Sequence, residues 1–212
     1  MHVLLPGLLA TLVWVPFVVA LRHGRRLTAA GVVAAWSVAL AAALPALERW
    51  SPGVCARSFV GAGEYAAQMA AWARTGVGCE SDPTCFVPQH LLHAVAFAVG
   101  SVATAGLAGL AFAAVLFGWM GAYAAALAAA SGSPVAAAAL AWHPWAVVRV
   151  VAYLSLGVAC AEPLARRGLP ALSGRGRWIA FGVAGLVADI ALKALFAPFW
   201  QRAVLSPLLS LD

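Results

Sequence analysis

His90, His93, Arg149, Asp189 and Lys193 are the side chains whose types and spacing could do chemistry, and all five fall inside or at the edge of long apolar runs. A charged group in hydrocarbon costs several kcal/mol unless it is paired or lines a wet cavity, so such residues read as functional by default. At about 1.5 Å per helical residue, His93 inside the run that begins at 88, Arg149 after Pro144 and Lys193 before Pro198 share one depth, roughly 7 to 8 Å below one membrane surface. Asp189 is one turn deeper than Lys193 on the same helix face, which predicts an i, i+4 ion pair. His90 stands one turn above His93. His143, in Trp142-His143-Pro144-Trp145, belongs at the mouth of the same layer, and Glu64 opens a helix in the connection above it.

Two chemistries suit this set. His90-x-x-His93 offers two metal ligands from one helix face, and His143 with Glu64 would complete three or four positions for zinc or another divalent ion. The Glu of the His-Glu-x-x-His pattern is missing, so the usual helix-borne base is not supplied. A b-type haem between His93 and His143 is a variant of the same idea. Alternatively, Arg149 and Lys193 would hold a phosphate or carboxylate headgroup. His93 or His143 would then act as general base, oriented by Glu64, in acyl, phosphoryl or peptide-bond chemistry on a lipid-linked substrate. The candidate catalytic set is His93, Arg149, Lys193, Asp189 and Glu64; the candidate metal ligands are His90, His93 and His143. A plainer alternative makes Asp189 and Lys193 a neutralised structural pair and lets Arg149 snorkel to headgroups.

Asp189-x-x-x-Lys193 resembles the last helix of microbial rhodopsins in that pair alone. Met1-His2 resembles the start of the metal-binding subunits of cobalt and nickel uptake systems, but Leu4, Leu5 and Pro6 then replace that family's acidic residue and glycine. No family is assigned on either.

The elements that must position these residues are transmembrane helices. Hydrophobic residues make up 64% of the 212 positions and charged residues 9%, a balance that excludes a soluble fold. Apolar stretches at 3–21, 28–47, 88–131, 135–164 and 178–199 predict an all-α polytopic bundle. The third is twice the length a bilayer needs and must contain a hairpin, with its turn near Gly106 to Gly109, which makes six spans in a single domain, 1–212. The first run lacks a preceding Lys or Arg and is followed by Arg22, Arg25 and Arg26, so it is expected to stay as a span, not to be cleaved as a signal peptide.

The net charge of +6 does not indicate nucleic acid, because the basic residues flank the apolar runs. Arg22, Arg25, Arg26, Arg166, Arg167, Arg175 and Arg177 gather in two short loops on one side. The other side has Arg49, Arg57, Arg74 and Arg202 against Glu48, Glu64, Glu80, Asp82 and Asp212. The positive-inside rule therefore predicts an external N-terminus. The composition, rich in Ala, Arg and Gly, suggests a GC-rich bacterial genome and hence the inner membrane, with the cysteine-bearing loop on the periplasmic or extracellular side.

That loop, 48–89, is expected to cap the bundle. Tyr65, Met69 and Trp72 fall at i, i+4, i+7, which predicts a short amphipathic helix lying on the membrane surface. A Cys79–Cys85 bridge is the first choice for its staple, and Cys55 is an alternative partner for either. The spacing is not the Cys-x-x-Cys of thiol oxidoreductases. Gly118 and Gly121 predict a close helix contact. The expected function is a membrane-embedded hydrolase or transferase acting on a lipid or lipid-linked substrate from the non-cytoplasmic face. The alternatives are a transport component binding a metal ion or small solute in an outward pocket, and an accessory membrane subunit.

Overall fold

The computed structural model describes residues 4–166 and 174–209, so Met1, His2, Arg167 and Asp212 lie outside the described residues. In chain order the helices are α1 (Leu4–Arg22), α2 (Arg26–Trp50), α3 (Val54–Ser58), α4 (Ala62–Thr75), α5 (Pro83–Ala103), α6 (Leu107–Ala129), α7 (Pro134–Leu140), α8 (Pro144–Ala165), α9 (Arg175–Trp200) and α10 (Ser206–Leu209). The fold is an all-α bundle, with no strand among the described residues. Six helices, α1, α2, α5, α6, α8 and α9, are long and apolar enough to cross a membrane. Their outward faces suit that role: Leu8, Leu12 and Val15 on α1, Leu91, Val95 and Val99 on α5, and Val183, Val187 and Leu195 on α9 are all exposed. In water such apolar stripes would be buried; here they are what lipid requires.

The long apolar run at 88–131 divides at Thr104–Gly106, at the N-terminal edge of the expected Gly106 to Gly109. Thr104 explains the position, because its hydroxyl donates to Gly100 O at 2.7 Å and accepts from Ala108 N at 2.8 Å, serving the end of α5 and the start of α6 together. Ala105 and Gly106 take positive φ values of 51° and 96°. A Cβ on Gly106 would lie 2.7 Å from the Phe17 ring, so glycine is required there for both conformation and space. Gly121 likewise admits α2, since a Cβ on it would lie 2.6 Å from Leu44 Cβ, as the glycine spacing in α6 predicts.

The core forms in three pieces. One, at the end carrying the 48–89 connection, gathers Leu44, Phe59, Met69, Trp72, Phe117, Tyr123 and Trp145. A second, toward the arginine-rich end, gathers Phe17, Leu21, Val33, Leu110 and Val158. Phe97, Tyr153 and Leu156 form a third. The amphipathic helix is α4, but its apolar face, including Met69 and Trp72, is buried against the bundle and not in lipid. At the arginine-rich end Glu162 is fully buried between Arg26, at 2.9 Å, and Arg166, at 3.5 Å.

Candidate functional site

Glu48, at the end of α2, accepts from Gly53 N at 2.6 Å and Cys55 N at 2.7 Å, which satisfies the first turn of α3. Burial, with Glu48 beside it, pushes the Cys55 thiol up to about 12, so this cysteine is a buried small hydrophobe and not a reactive group. Cys79 and Cys85 form the disulfide, as expected. The turn it closes is fixed at two further points: Trp72 Nε1 donates to Ser81 Oγ at 2.7 Å, and Asp82 Oδ1 accepts from Thr84 N at 2.9 Å to cap α5. Glu80 projects from this turn into the bundle.

Four elements then bring their charges together. Arg149 of α8 makes a forked contact to Asp189 of α9, Nε to Oδ2 at 2.8 Å and Nη2 to Oδ1 at 3.0 Å. His90 of α5 places Nδ1 3.3 Å from the same Asp189 Oδ2, off the line of a good hydrogen bond. Its Nε2 is 3.5 Å from Lys193 Nζ. Lys193 Nζ lies 2.8 Å from Glu80 Oε2 and 4.5 Å from the centre of the Phe86 ring. Asp189 and Lys193 are each only 1% exposed, so these two charges depend on their partners, Arg149 and Glu80, which reach the cavity. Burial alone would raise the Glu80 carboxyl; the Lys193 ammonium beside it outweighs burial and holds it below the usual carboxylate range.

Arg149, Asp189 and Lys193 are therefore brought together, joined by His90 and not by His93, and with partners other than those expected. Asp189 and Lys193 are not bonded to each other: Asp189 goes to Arg149 and His90, and Lys193 to Glu80. Glu64 is exposed, and the acid that reaches the layer is Glu80. The i, i+4 spacing shows only which side chains share a face, whereas the shorter partners here come from other elements. A partial sequence signal for Glu80 existed: it is one of two acids enclosed by Cys79 and Cys85 immediately ahead of α5, and the other, Asp82, is taken up as the cap of that helix. His143 is buried among Trp72, Trp145 and Trp200, with Nε2 3.4 Å from the Tyr123 hydroxyl. Burial pushes it down to about 4, which makes it a neutral packing group in an aromatic nest. Among the described residues no three His, Cys, Asp or Glu side chains are placed to hold a metal, so His90, His93 and His143 are not gathered as a ligand set.

Below the charges, where the three core pieces fail to meet, lies a cavity of about 1020 Å³ including the space at its mouth. Tyr65, Glu80, Gln89, His90, His93 and Arg149 line its polar end. From there it runs along α6 from Met120 to Gly106, a distance of roughly 20 Å at the helical rise, between apolar walls that include Phe17, Val33, Phe97 and Leu110. His93 stands at the boundary, edge-on to Phe112 and Trp119, with no hydrogen-bond partner among the described residues. Tyr65 stacks on Trp119, and its hydroxyl donates to Met120 Sδ at 3.4 Å; burial and then Glu80 raise this phenol, so it stays protonated. No protein family, curated protein or solved structure matches this chain.

Proposed function

We propose that this chain is a membrane-embedded hydrolase or transferase that takes a lipid or lipid-linked substrate from the non-cytoplasmic side of a bacterial inner membrane. The observation that carries this reading is the cavity, charged at one end and apolar along the rest of its length. A polar headgroup suits Arg149, Gln89 and Tyr65, and a hydrocarbon chain suits the slot between Phe97, Phe117 and Leu110. The arginines at the opposite end of the bundle favour placing the cap outside.

The chemistry follows from what is free. Asp189 occupies two of the five N–H groups of Arg149, which leaves the guanidinium donors for an oxygen that gains negative charge. His93 has an unengaged imidazole at the junction of head and tail. It would accept a proton from water, or from an acceptor hydroxyl, as that oxygen attacks a carbonyl or phosphoryl centre, and would return the proton to the departing oxygen. His90, engaged by Asp189 and Lys193, would position the layer and not itself exchange protons with substrate.

The test uses the purified full chain in detergent with three probes: a palmitoyl lysophospholipid, a diacyl phosphatidylglycerol and a polyprenyl diphosphate, with products followed by mass spectrometry. His93→Gln should retain a monodisperse, folded protein and lower turnover by about 100-fold or more. Undiminished turnover by His93→Gln would remove the proposed base, and failure to bind or convert any probe would remove the lipid reading. The transport alternative draws on the Ser101 and Tyr153 hydroxyls, which are buried without partners among the described residues and flank the deeper part of the cavity. It predicts solute uptake into proteoliposomes that is lost in Tyr153→Phe, with no change in the lipid probes.

A further inference from the structure

The charged end of the cavity is formally neutral. Arg149 and Lys193 supply two positive charges, Asp189 and Glu80 two negative ones. The two acids are bound very differently. Asp189 sits in the fork of Arg149 and beside His90, all on transmembrane helices, and removing it would dismantle the layer. Glu80 reaches the layer through Lys193 alone among the described residues. Its backbone is secured independently by the disulfide, by the Trp72–Ser81 hydrogen bond and by the Asp82 cap, so the side chain can swing away while the turn stays in place. Glu80 also lines the cavity, with 12% of its side chain exposed, whereas Lys193 behind it is almost fully enclosed.

An enclosed ammonium cannot lose its counter-charge without another anion in its place. With Glu80 turned out, the polar end has one net positive charge and an oxyanion position beside Lys193 Nζ, at the head of a lipid-shaped slot. Building on the lipid reading above, we infer that Glu80 is a resident stand-in for the substrate's own anion, and that the site admits lipids with a singly anionic phosphate or carboxylate headgroup by exchanging Glu80 for it. The cap is then a charge gate, and zwitterionic lipids, which bring no net charge to replace Glu80, gain nothing from the exchange.

The experiment measures binding by native mass spectrometry of the full chain in detergent, using palmitoyl lysophosphatidylglycerol as the anionic probe and palmitoyl lysophosphatidylcholine as the zwitterionic one. Glu80→Gln should tighten binding of the anionic probe by about tenfold and leave the zwitterionic one within about threefold of wild type. Glu80→Asp, whose shorter carboxylate reaches Lys193 less well, should lie between and remains informative if Glu80→Gln folds poorly. The double variant Glu80→Gln with Lys193→Gln restores neutrality and should lose the gain. Equal anionic binding by wild type and Glu80→Gln, weaker binding by Glu80→Gln, or a gain that survives in the double variant would each overturn the exchange. If wild type and variants bind both lysolipids but show no charge preference, the gate alone fails; if none binds either, the lipid reading fails with it. Inorganic phosphate is the final arm. The lipid source predicts that millimolar phosphate leaves anionic-probe binding to Glu80→Gln unchanged, and displacement by phosphate would reassign the site to a free anion.

Discussion

Asp189 is the residue on which the other charges of the site depend, and its partners could not be read from spacing. The sequence places Lys193 one turn away on the same face, and a helix considered alone would pair them. In the bundle, Arg149 offers a two-pronged contact from α8, and Lys193 turns to Glu80. That α5, α8 and α9 would bring polar side chains to one region was legible because helical rise is regular. The identity of the acid was not, because Glu64 and Glu80 are separated by a loop whose path depends on packing. The forked pair has a direct consequence for mutagenesis: Arg149→Ala leaves a carboxylate buried without its cation and should destabilise the protein by about 3–5 kcal/mol. Arg149→Ala with Asp189→Ala should recover part of that loss. Thermal unfolding in detergent checks both, and an unaltered midpoint for Arg149→Ala would show that the pair contributes nothing to stability. Loss of activity in Arg149→Ala is therefore weaker testimony to catalysis than loss in His93→Gln.

At the scale of elements, the six spans follow from the length of apolar runs, and the capping helix follows from the i, i+4, i+7 pattern of Tyr65, Met69 and Trp72. That pattern gives a face without saying what covers it, since a bilayer and a protein core are both apolar. The structure assigns the face to the bundle, with Trp72 buried in the core cluster that includes Tyr123 and Trp145 and edge-on to His143. Thr104 is comparable: glycine weakens a helix, but a side chain that can serve two helix ends fixes where the hairpin turns. The disulfide belongs to this scale because it fixes a turn, and through that turn Glu80. In the chain-entropy description a ring this small stabilises by about 2 kcal/mol. Replacing Cys79 and Cys85 together with Ser should lower stability by up to that amount and loosen the Glu80–Lys193 contact. Hydrogen exchange over 76–86 measures the loosening, and protection equal to wild type would mean that Trp72 and Asp82 suffice to fix the turn.

Across the whole molecule, charge is segregated. Among the described residues, Arg22, Arg25, Arg26, Arg166, Arg175 and Arg177 collect at one end, where Glu162 ties Arg26 to Arg166, and the acidic cap occupies the other. The expected orientation has a direct test: a cysteine introduced at Glu64 in a Cys55→Ala, Cys160→Ala background should react with a membrane-impermeant maleimide in intact cells freed of their outer membrane, and one introduced at Arg25 should react only after lysis. The reverse pattern would place the cap in the cytoplasm. Disulfides close only after a segment has reached an oxidising compartment; with the cap outside, as proposed, Cys79 and Cys85 precede α9 in the chain and would be free to close before the span carrying Lys193 is inserted. The turn that carries Glu80 would then be latched ready to receive the lysine, and cells deprived of their thiol-oxidising machinery should accumulate an inserted but unlatched form.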